Sequence, residues 1–359
     1  MKLLHKLDKK QKTLAVIVLV SLVLLAALAT SAFFIKVSLP EQRAAVRWAP
    51  EGGYAQVSCF FAEGEKLSLD NIMAFRSQIE KSLREASRAV GPESGRAYID
   101  AYSSEGTVQL ISERSRLDVR AIGVGGDFFH FHPLALVSGS YFSATDINKD
   151  GILIDDEAAW QLFGSSDIIG MEVLIGGRPH FIRGVINRRS GRLWDAAGLA
   201  DGVVYLSQES LATYGTSGSI SHYEYVAPNP VSGFASRIAV DNFNYAAERM
   251  TTIDNSARFD FFPLMDVITQ AGTRSMQSYA FRYPYWENYA RGIDDILALM
   301  LAFELLFLLV PTLIIVTWLI IVFRRRHVPI WDRVVMINAY FTELQAQRLR
   351  KKQVEAFKD

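Results

Sequence analysis

The chain has 359 residues, half of them hydrophobic, with 38 basic against 38 acidic side chains and one cysteine, Cys59. That composition excludes a disordered or low-complexity chain, and the lone cysteine excludes an internal disulfide framework. The neutral sum conceals an uneven distribution. Lys2, Lys6, Lys9, Lys10 and Lys12 stand against Asp8 before the first apolar run. After the last run, Arg324, Arg325, Arg326, Arg333, Arg348, Arg350, Lys351, Lys352 and Lys358 outweigh Asp332, Glu343, Glu355 and Asp359. The middle is therefore net acidic, which argues against a nucleic-acid surface. It follows the positive-inside pattern, with both ends cytoplasmic and the middle outside.

Residues 1–13 lead into a first transmembrane helix at 14–35, whose apolar run continues through Phe33, Phe34 and Ile35 and is long enough to span. Ala27-Leu28-Ala29 keeps signal-peptide cleavage as the rival reading. Residues 36–53 read as a linker and 54–61 as a strand. Residues 69–90 read as a helix, because Leu69, Ile72, Met73, Ile79, Leu83, Ala86 and Val90 recur at helical spacing. Strands are predicted at 97–102, 117–124 and 152–154, the last running into a helix at 157–163. A turn at Gly176 and Gly177 separates the two arms of a hairpin, 172–175 and 180–186. Further strands are predicted at 203–206, 223–226 and 259–262, a helix at 231–250, and loops at 187–201 and 215–221. Residues 264–293 read as part helical, interrupted near Pro284, with Tyr283, Tyr285, Trp286 and Tyr289 placed near the outer headgroups. A second transmembrane helix occupies 296–323 and stops at three arginines. Residues 324–359 form a basic tail helix whose Trp331, Val334, Val335, Phe341 and Leu344 suit the inner membrane surface or a partner protein.

One stretch carries a metal-loop pattern. In DINKDGILIDDE, Asp146, Asn148 and Asp150 fall at EF-hand positions 1, 3 and 5, Gly151 at 6 and Glu157 at 12. Its context favours a turn, a buried strand and a helix start capped by Asp155 or Asp156, because an entering helix would have to cross Pro133, Gly139 and Ser140. His130 and His132 would share one face of a strand and offer two metal ligands. Phe128, Phe129 and Phe131 interleave with them and no cysteine or third histidine lies nearby, so they read as structural or surface histidines. The chain has no Walker A sequence, no G-x-S-x-G and no H-E-x-x-H. The expectation is a protein that is not an enzyme, with no catalytic, cofactor or metal site.

Residues 122–186 hold an ordered set of individually weak signals. Gly123, Val124, Phe128 and Phe129 come first, then Gly139 and Phe142, then Leu162, Phe163 and Gly164. Ile169 and Gly170 follow, then Gly177, Phe181, Gly184, Val185 and Ile186, with DGVVYLS at 201–207 behind them. In this order, between two membrane helices, they resemble the extracytoplasmic core domain of MacB-type and FtsX-like ABC transporter permeases. Such permeases usually continue into two further membrane helices, so the chain looks like a shortened, two-helix form. The expected fold class is α+β, mixed sheets in two subdomains, 54–124 with 222–263 and 125–206, making up an outer domain at 36–293. The resemblance implies a two-pass protein of a bacterial cytoplasmic membrane that couples a partner ABC ATPase to movement of the outer domain. A second, fuller permease chain is implied as partner, and an exported peptide, lipoprotein or envelope protein as what is handled. The alternative is a bitopic sensor or assembly adaptor that works without an ATPase.

Overall fold

The computed structural model describes residues 9–88, 95–216, 219–278 and 281–356. The helices are α1 (Lys9–Val37), α2 (Ala44–Trp48), α3 (Leu69–Glu85), α4 (Phe128–Phe131), α5 (Asp156–Phe163), α6 (Arg192–Trp194), α7 (Gln208–Tyr214), α8 (Phe234–Asn242), α9 (Phe261–Thr269) and α10 (Tyr285–Ala356). The strands are β1 (Tyr54–Phe61), β2 (Ile99–Ile111), β3 (Arg116–Gly126), β4 (Leu136–Gly139), β5 (Gly151–Asp155), β6 (Glu172–Ile175), β7 (Arg178–Ile186), β8 (Val203–Ser207), β9 (His222–Pro228) and β10 (Met250–Asp254). Among the described residues the strands form one sheet in the order β10-β1-β9-β2-β3-β8-β5-β7-β4, with β6 pairing with β2 and β7. The sheet is mixed: β3 with β8 and β5 with β7 run parallel, whereas β1 lies antiparallel to both β9 and β10. The chain thus adopts the α+β class. It divides into a sheet-containing unit, Ala32–Leu299, and a unit of the two ends, Met1–Ser31 with Met300–Asp359.

Alternation along β1 and β9 decides what each sheet face does, since successive side chains point to opposite sides. Ala55, Val57, Cys59 and Phe61 of β1 and Tyr223, Tyr225 and Ala227 of β9 belong to a core covered by Ile72, Phe75 and Ile79 of α3 and Ile238 of α8. Gln56, Ser58, His222 and Glu224 occupy the intervening positions, and they too are buried. A second core gathers Phe128, Phe131, Tyr205, Tyr285 and Trp286. A third holds Ile152, Ile154, Val173, Ile182 and Leu206 around Ala159 and Leu162 of α5. Helix α5 is capped at its start by Asp155, whose carboxylate accepts from Ala158 N at 2.7 Å, and at its end by Gly164 with φ 69°.

Three predicted elements are corrected. The helix expected at 69–90 ends at Glu85, before Ser87 takes a left-handed φ of 55°, and Val90 lies outside the described residues. The helix expected at 231–250 ends at Asn242, because Asn244 takes a left-handed φ of 58°, and Met250 opens the true last strand, β10. Residues 259–262 do not form a strand, despite their aromatic β-propensity. Asp260 is extended at the N-cap position and Phe261 begins α9, where Pro263 sits in a first turn that has no amide partner to lose. The sequence reading had no place for β4 or α7.

Among the described residues, two helices are long and apolar enough to cross a membrane, within Lys12–Val37 and Tyr285–Arg324. Helix α10 begins directly after Pro284 and continues without a break through Pro311 to Ala356. Tyr285, Trp286, Ala290, Ile293 and Leu297 are buried, and apolar exposure starts in earnest at Leu299. Tyr285 and Trp286, expected at the headgroups, instead fill the second core.

Candidate functional site

Helix α10 is rooted in the sheet-containing unit by charge as well as by apolar packing. Glu287 and Asp294 lie seven residues apart, two helical turns, so both carboxylates emerge on one face. Between them sits Arg258, from the segment joining β10 to α9. Its guanidinium donates to Glu287 Oε1 and Oε2 at 2.8 and 2.7 Å, and to Asp294 Oδ1 and Oδ2 at 2.9 and 2.8 Å. Arg274 adds a bond to Asp294 at 2.7 Å and a contact to Asp295. Arg258 is 7% exposed. Burial alone would lower its pKa, but the two carboxylates outweigh that and raise it, so the cation is fixed in place. Tyr285 Oη meets Tyr205 Oη of β8 at 2.7 Å, and Asn288 Nδ2 donates to Ala197 O at 3.0 Å.

The polar network does not end at Arg258. Its Nη1 donates to Asn255 Oδ1 at 3.3 Å, Asn255 Nδ2 donates to Ser58 Oγ at 2.8 Å, and Ser58 Oγ donates to Glu224 Oε2 at 3.1 Å. Ser58 and Glu224 are direct cross-strand partners, as are Phe60 and His222. Gln56 Nε2 donates to Glu224 Oε2 at 3.4 Å and to Glu41 O at 2.6 Å, while Gln56 Oε1 accepts from Ala44 N at 2.8 Å. The same carboxylate is therefore linked to the segment after α1 and to the start of α10.

Glu224 also receives His132. The end of α4 directs His132 Nε2 to within 2.5 Å of Glu224 Oε1, and His222 Nε2 stands 3.9 Å from Glu224 Oε2. His222 Nδ1 lies 3.2 Å from Ser103 Oγ. Burial would raise the Glu224 pKa, but the two imidazoles and the bonds from His132 and Ser58 hold it below the usual value. Burial draws the His222 pKa down to about 4, against the pull of Glu224. Trp286 packs over this group, with ring centroids 4.3 Å from His132 and 5.7 Å from His222, and Phe60 stacks on His222 at 4.8 Å.

The histidine pair singled out in the sequence is split. Residues 128–131 are a helical turn rather than a strand, so His130 and His132 do not share a face. His130 meets Ala44 O at 3.3 Å and the edge of Trp48, while His132 points inward. Around the acidic loop, Asp146 accepts from Ser143 N at 2.9 Å, Asn148 is exposed, and Asp150 is half-buried just before β5. Glu157 on α5 bonds Arg188, and the Lys149 ammonium contacts Ala144 O. In the tail, Val335 and Phe341 are exposed and Leu344 is half-buried; the Trp331 and Val334 side chains lie outside the described residues. Sequence reading missed Arg258, Glu224, Glu287 and Asp294. The signal for Glu224 was its place two residues from His222 on a predicted strand.

A model of the MacB-like periplasmic core domain family matches residues 13–243, more than half of the chain. Among curated proteins, the Chromobacterium violaceum macrolide export ATP-binding/permease protein MacB is 35% identical over 100 residues, covering 26% of this chain and 15% of that protein. MacB 2 of Aeromonas hydrophila is 35% identical over 72 residues, 20% of this chain and 11% of that protein. The matched part is thus a small fraction of either relative's length. Among solved structures, the periplasmic region of MacB from Actinobacillus actinomycetemcomitans aligns with 14% identity and a TM-score of 0.41, over 61% of this chain and 93% of that one. The extracellular domain of the noncanonic ABC-type transporter YknZ from Gram-positive bacteria aligns with 17% identity and a TM-score of 0.36, over 55% and 100%. By the family match, and with two apolar helices flanking a large extracytoplasmic domain, the chain belongs to the MacB-like periplasmic core domain family of ABC transporter permeases.

Proposed function

We propose that this chain is a non-enzymatic membrane subunit of a MacB/FtsX-like ABC system, in which a partner ATPase moves α10 from the cytoplasmic side and α10 passes that movement to the outer domain. The observation that supports this most is the buried ionic root of an unbroken helix. Arg258 joins Glu287 and Asp294 to the sheet through Asn255 and Ser58, so displacement of the first turns of α10 strains a connected polar network rather than slipping past an oily surface. In this reading 1–13 and 324–359 are cytoplasmic, 14–35 and 296–323 span the membrane, and 36–293 form the outer domain. Its halves are 54–124 with 222–263 and 125–206; the core under α3 and α8 lies almost wholly in the first, while the core around α5 joins Val108, Leu110, Val119 and Ala121 of the first to Ile152 and Ile182 of the second. Exposed Val335 and Phe341 give the tail an apolar surface for the ATPase, and a second, fuller permease chain completes the assembly. An exported peptide, lipoprotein or envelope protein is the class of molecule acted on.

The test is crosslinking of the full chain in native membranes, gentle detergent purification and mass spectrometry of the partners. An ATP-binding protein and a second permease are expected, and Phe341→Glu should deplete the ATP-binding protein. Recovery of neither would overturn the proposal in favour of an adaptor or sensor that works without an ATPase.

A further inference from the structure

Glu224, His222 and His132 converge from two elements that the sequence separates by about ninety residues, the end of α4 and strand β9. One ligand atom from each lies within 4.8 Å of the others. All three residues are buried, at 2% exposure or less. We propose that His132, His222 and Glu224 bind one divalent transition metal ion of the zinc class, against Trp286 at the root of α10.

Three observations carry this. The donor set, two imidazoles and a carboxylate, is one that zinc takes in open sites that keep a further position for water. Tetrahedral zinc with N and O ligands at 2.0–2.2 Å places those ligands roughly 3.4 Å apart. The separations here, 2.5 Å from His132 Nε2 to Glu224 Oε1 and 3.9 Å from His222 Nε2 to Glu224 Oε2, stand on either side of that value. The two distances run to different carboxylate oxygens and the set of three ligand atoms spans 4.8 Å, so rotations of the imidazoles and the carboxylate are what bring them onto one ion. The second observation is the imidazole nitrogen left over. His222 Nε2 is buried, has no hydrogen-bond partner and faces Glu224, so among the unpartnered buried polar atoms of the described residues it is the one turned towards a carboxylate that could share an ion with it. The third is support from behind. Ser103 Oγ beside His222 Nδ1 orients the ring, and where the hydroxyl oxygen accepts from Nδ1 the ring presents Nε2 as a lone pair. At His132 the ion replaces the hydrogen between Nε2 and Glu224, and the ring hydrogen moves to Nδ1, which is buried without a partner in this structure.

Occupancy has a mechanical consequence. Trp286, in the first turn of α10, lies over both imidazoles, so a bound ion stiffens the seat of the helix. The proposal rests on this geometry and stands apart from any ATPase.

The test uses the full chain in detergent, purified without a histidine tag and stripped with a chelator. Cobalt(II) is titrated and followed by its visible absorption, and zinc by displacement of cobalt. One equivalent per chain is expected, with the absorption of a four-coordinate site, and zinc should raise the thermal midpoint until chelator is added. His222→Gln and Glu224→Gln should weaken binding about a hundredfold or more, whereas His130→Ala should leave it unchanged. Absence of cobalt absorption and of any zinc-dependent thermal shift in the wild-type chain would overturn the proposal. So would full-strength binding retained in both folded glutamine variants. Should those variants fail to fold, the wild-type stoichiometry and the zinc-dependent midpoint decide alone.

Discussion

Replacing Arg258 with methionine removes the cation of the α10 root while keeping a flexible side chain of similar reach. Glu287 and Asp294 then remain buried, at 2% and 4% exposure, and Asp294 keeps only Arg274. Removing one member of a buried ionic set costs about 3–5 kcal/mol, because the partners' desolvation is no longer offset. For a domain of this size that corresponds to a fall of roughly 6–20 °C in the thermal midpoint. The measurement is thermal unfolding of the full chain in detergent, followed by circular dichroism. Hydrogen exchange should localise the change to the first turns of α10. The informative comparison is Arg258→Met combined with Glu287→Gln and Asp294→Asn. A neutral replacement of the whole set restores most of the loss, since the cost lies in stranded charge rather than in missing attraction. A single variant that melts within a degree of wild type would refute the argument. So would a triple variant that melts below the single one.

Further expectations concern other parts of the domain. Gly126 has φ 68°, and a methyl there would meet Asp100 O at 2.4 Å. Gly126→Ala should therefore cost about 1–3 kcal/mol by chemical denaturation, and disturb α4, which follows directly. His180 is buried beside Ser210 Oγ at 3.2 Å, and burial lowers its pKa from 6.5. The unfolded chain thus takes up the proton first as pH falls, so stability declines from about pH 6.5 towards the folded pKa. His180→Gln should flatten midpoint against pH in that window, and an unchanged slope would count against the reasoning. In the 146–157 loop, Glu157 is engaged by Arg188 and Lys149 contacts Ala144 O, so millimolar calcium should give no heat in isothermal titration. A saturable one-site isotherm would reverse that expectation.

The legible parts of the fold are those in which local pattern and tertiary role agree. Strand β1 and the 172–186 hairpin combine apolar alternation with a turn that only glycines fill easily: Gly176 and Gly177 have φ 58° and 77°. The failures come where tertiary context overrides the pattern. FDFF carries strand propensity yet begins α9, and the one residue that ends α8 early, Asn244, is marked only by its tolerance of left-handed backbone. Histidines two apart at 130 and 132 suggested one face because a strand was assumed, whereas His130 lies on the short helix α4 and His132 is the non-helical residue that ends it.

The candidate site was hidden for a more general reason. On a strand with one core face, alternate polar residues such as Gln56, Ser58 and Glu224 read as solvent-facing, and nothing in the strand says that a second layer covers them. Here the second layer comes from α4 and from Trp286, far along the chain. Once that face is covered, every polar group on it needs a partner, and the groups available are one another and the cation at 258. Burial of an alternate-face polar row therefore forces the connected network. Its two outlets, Glu41 after α1 and Glu287 on α10, belong to the segments through which the sheet joins its two apolar helices.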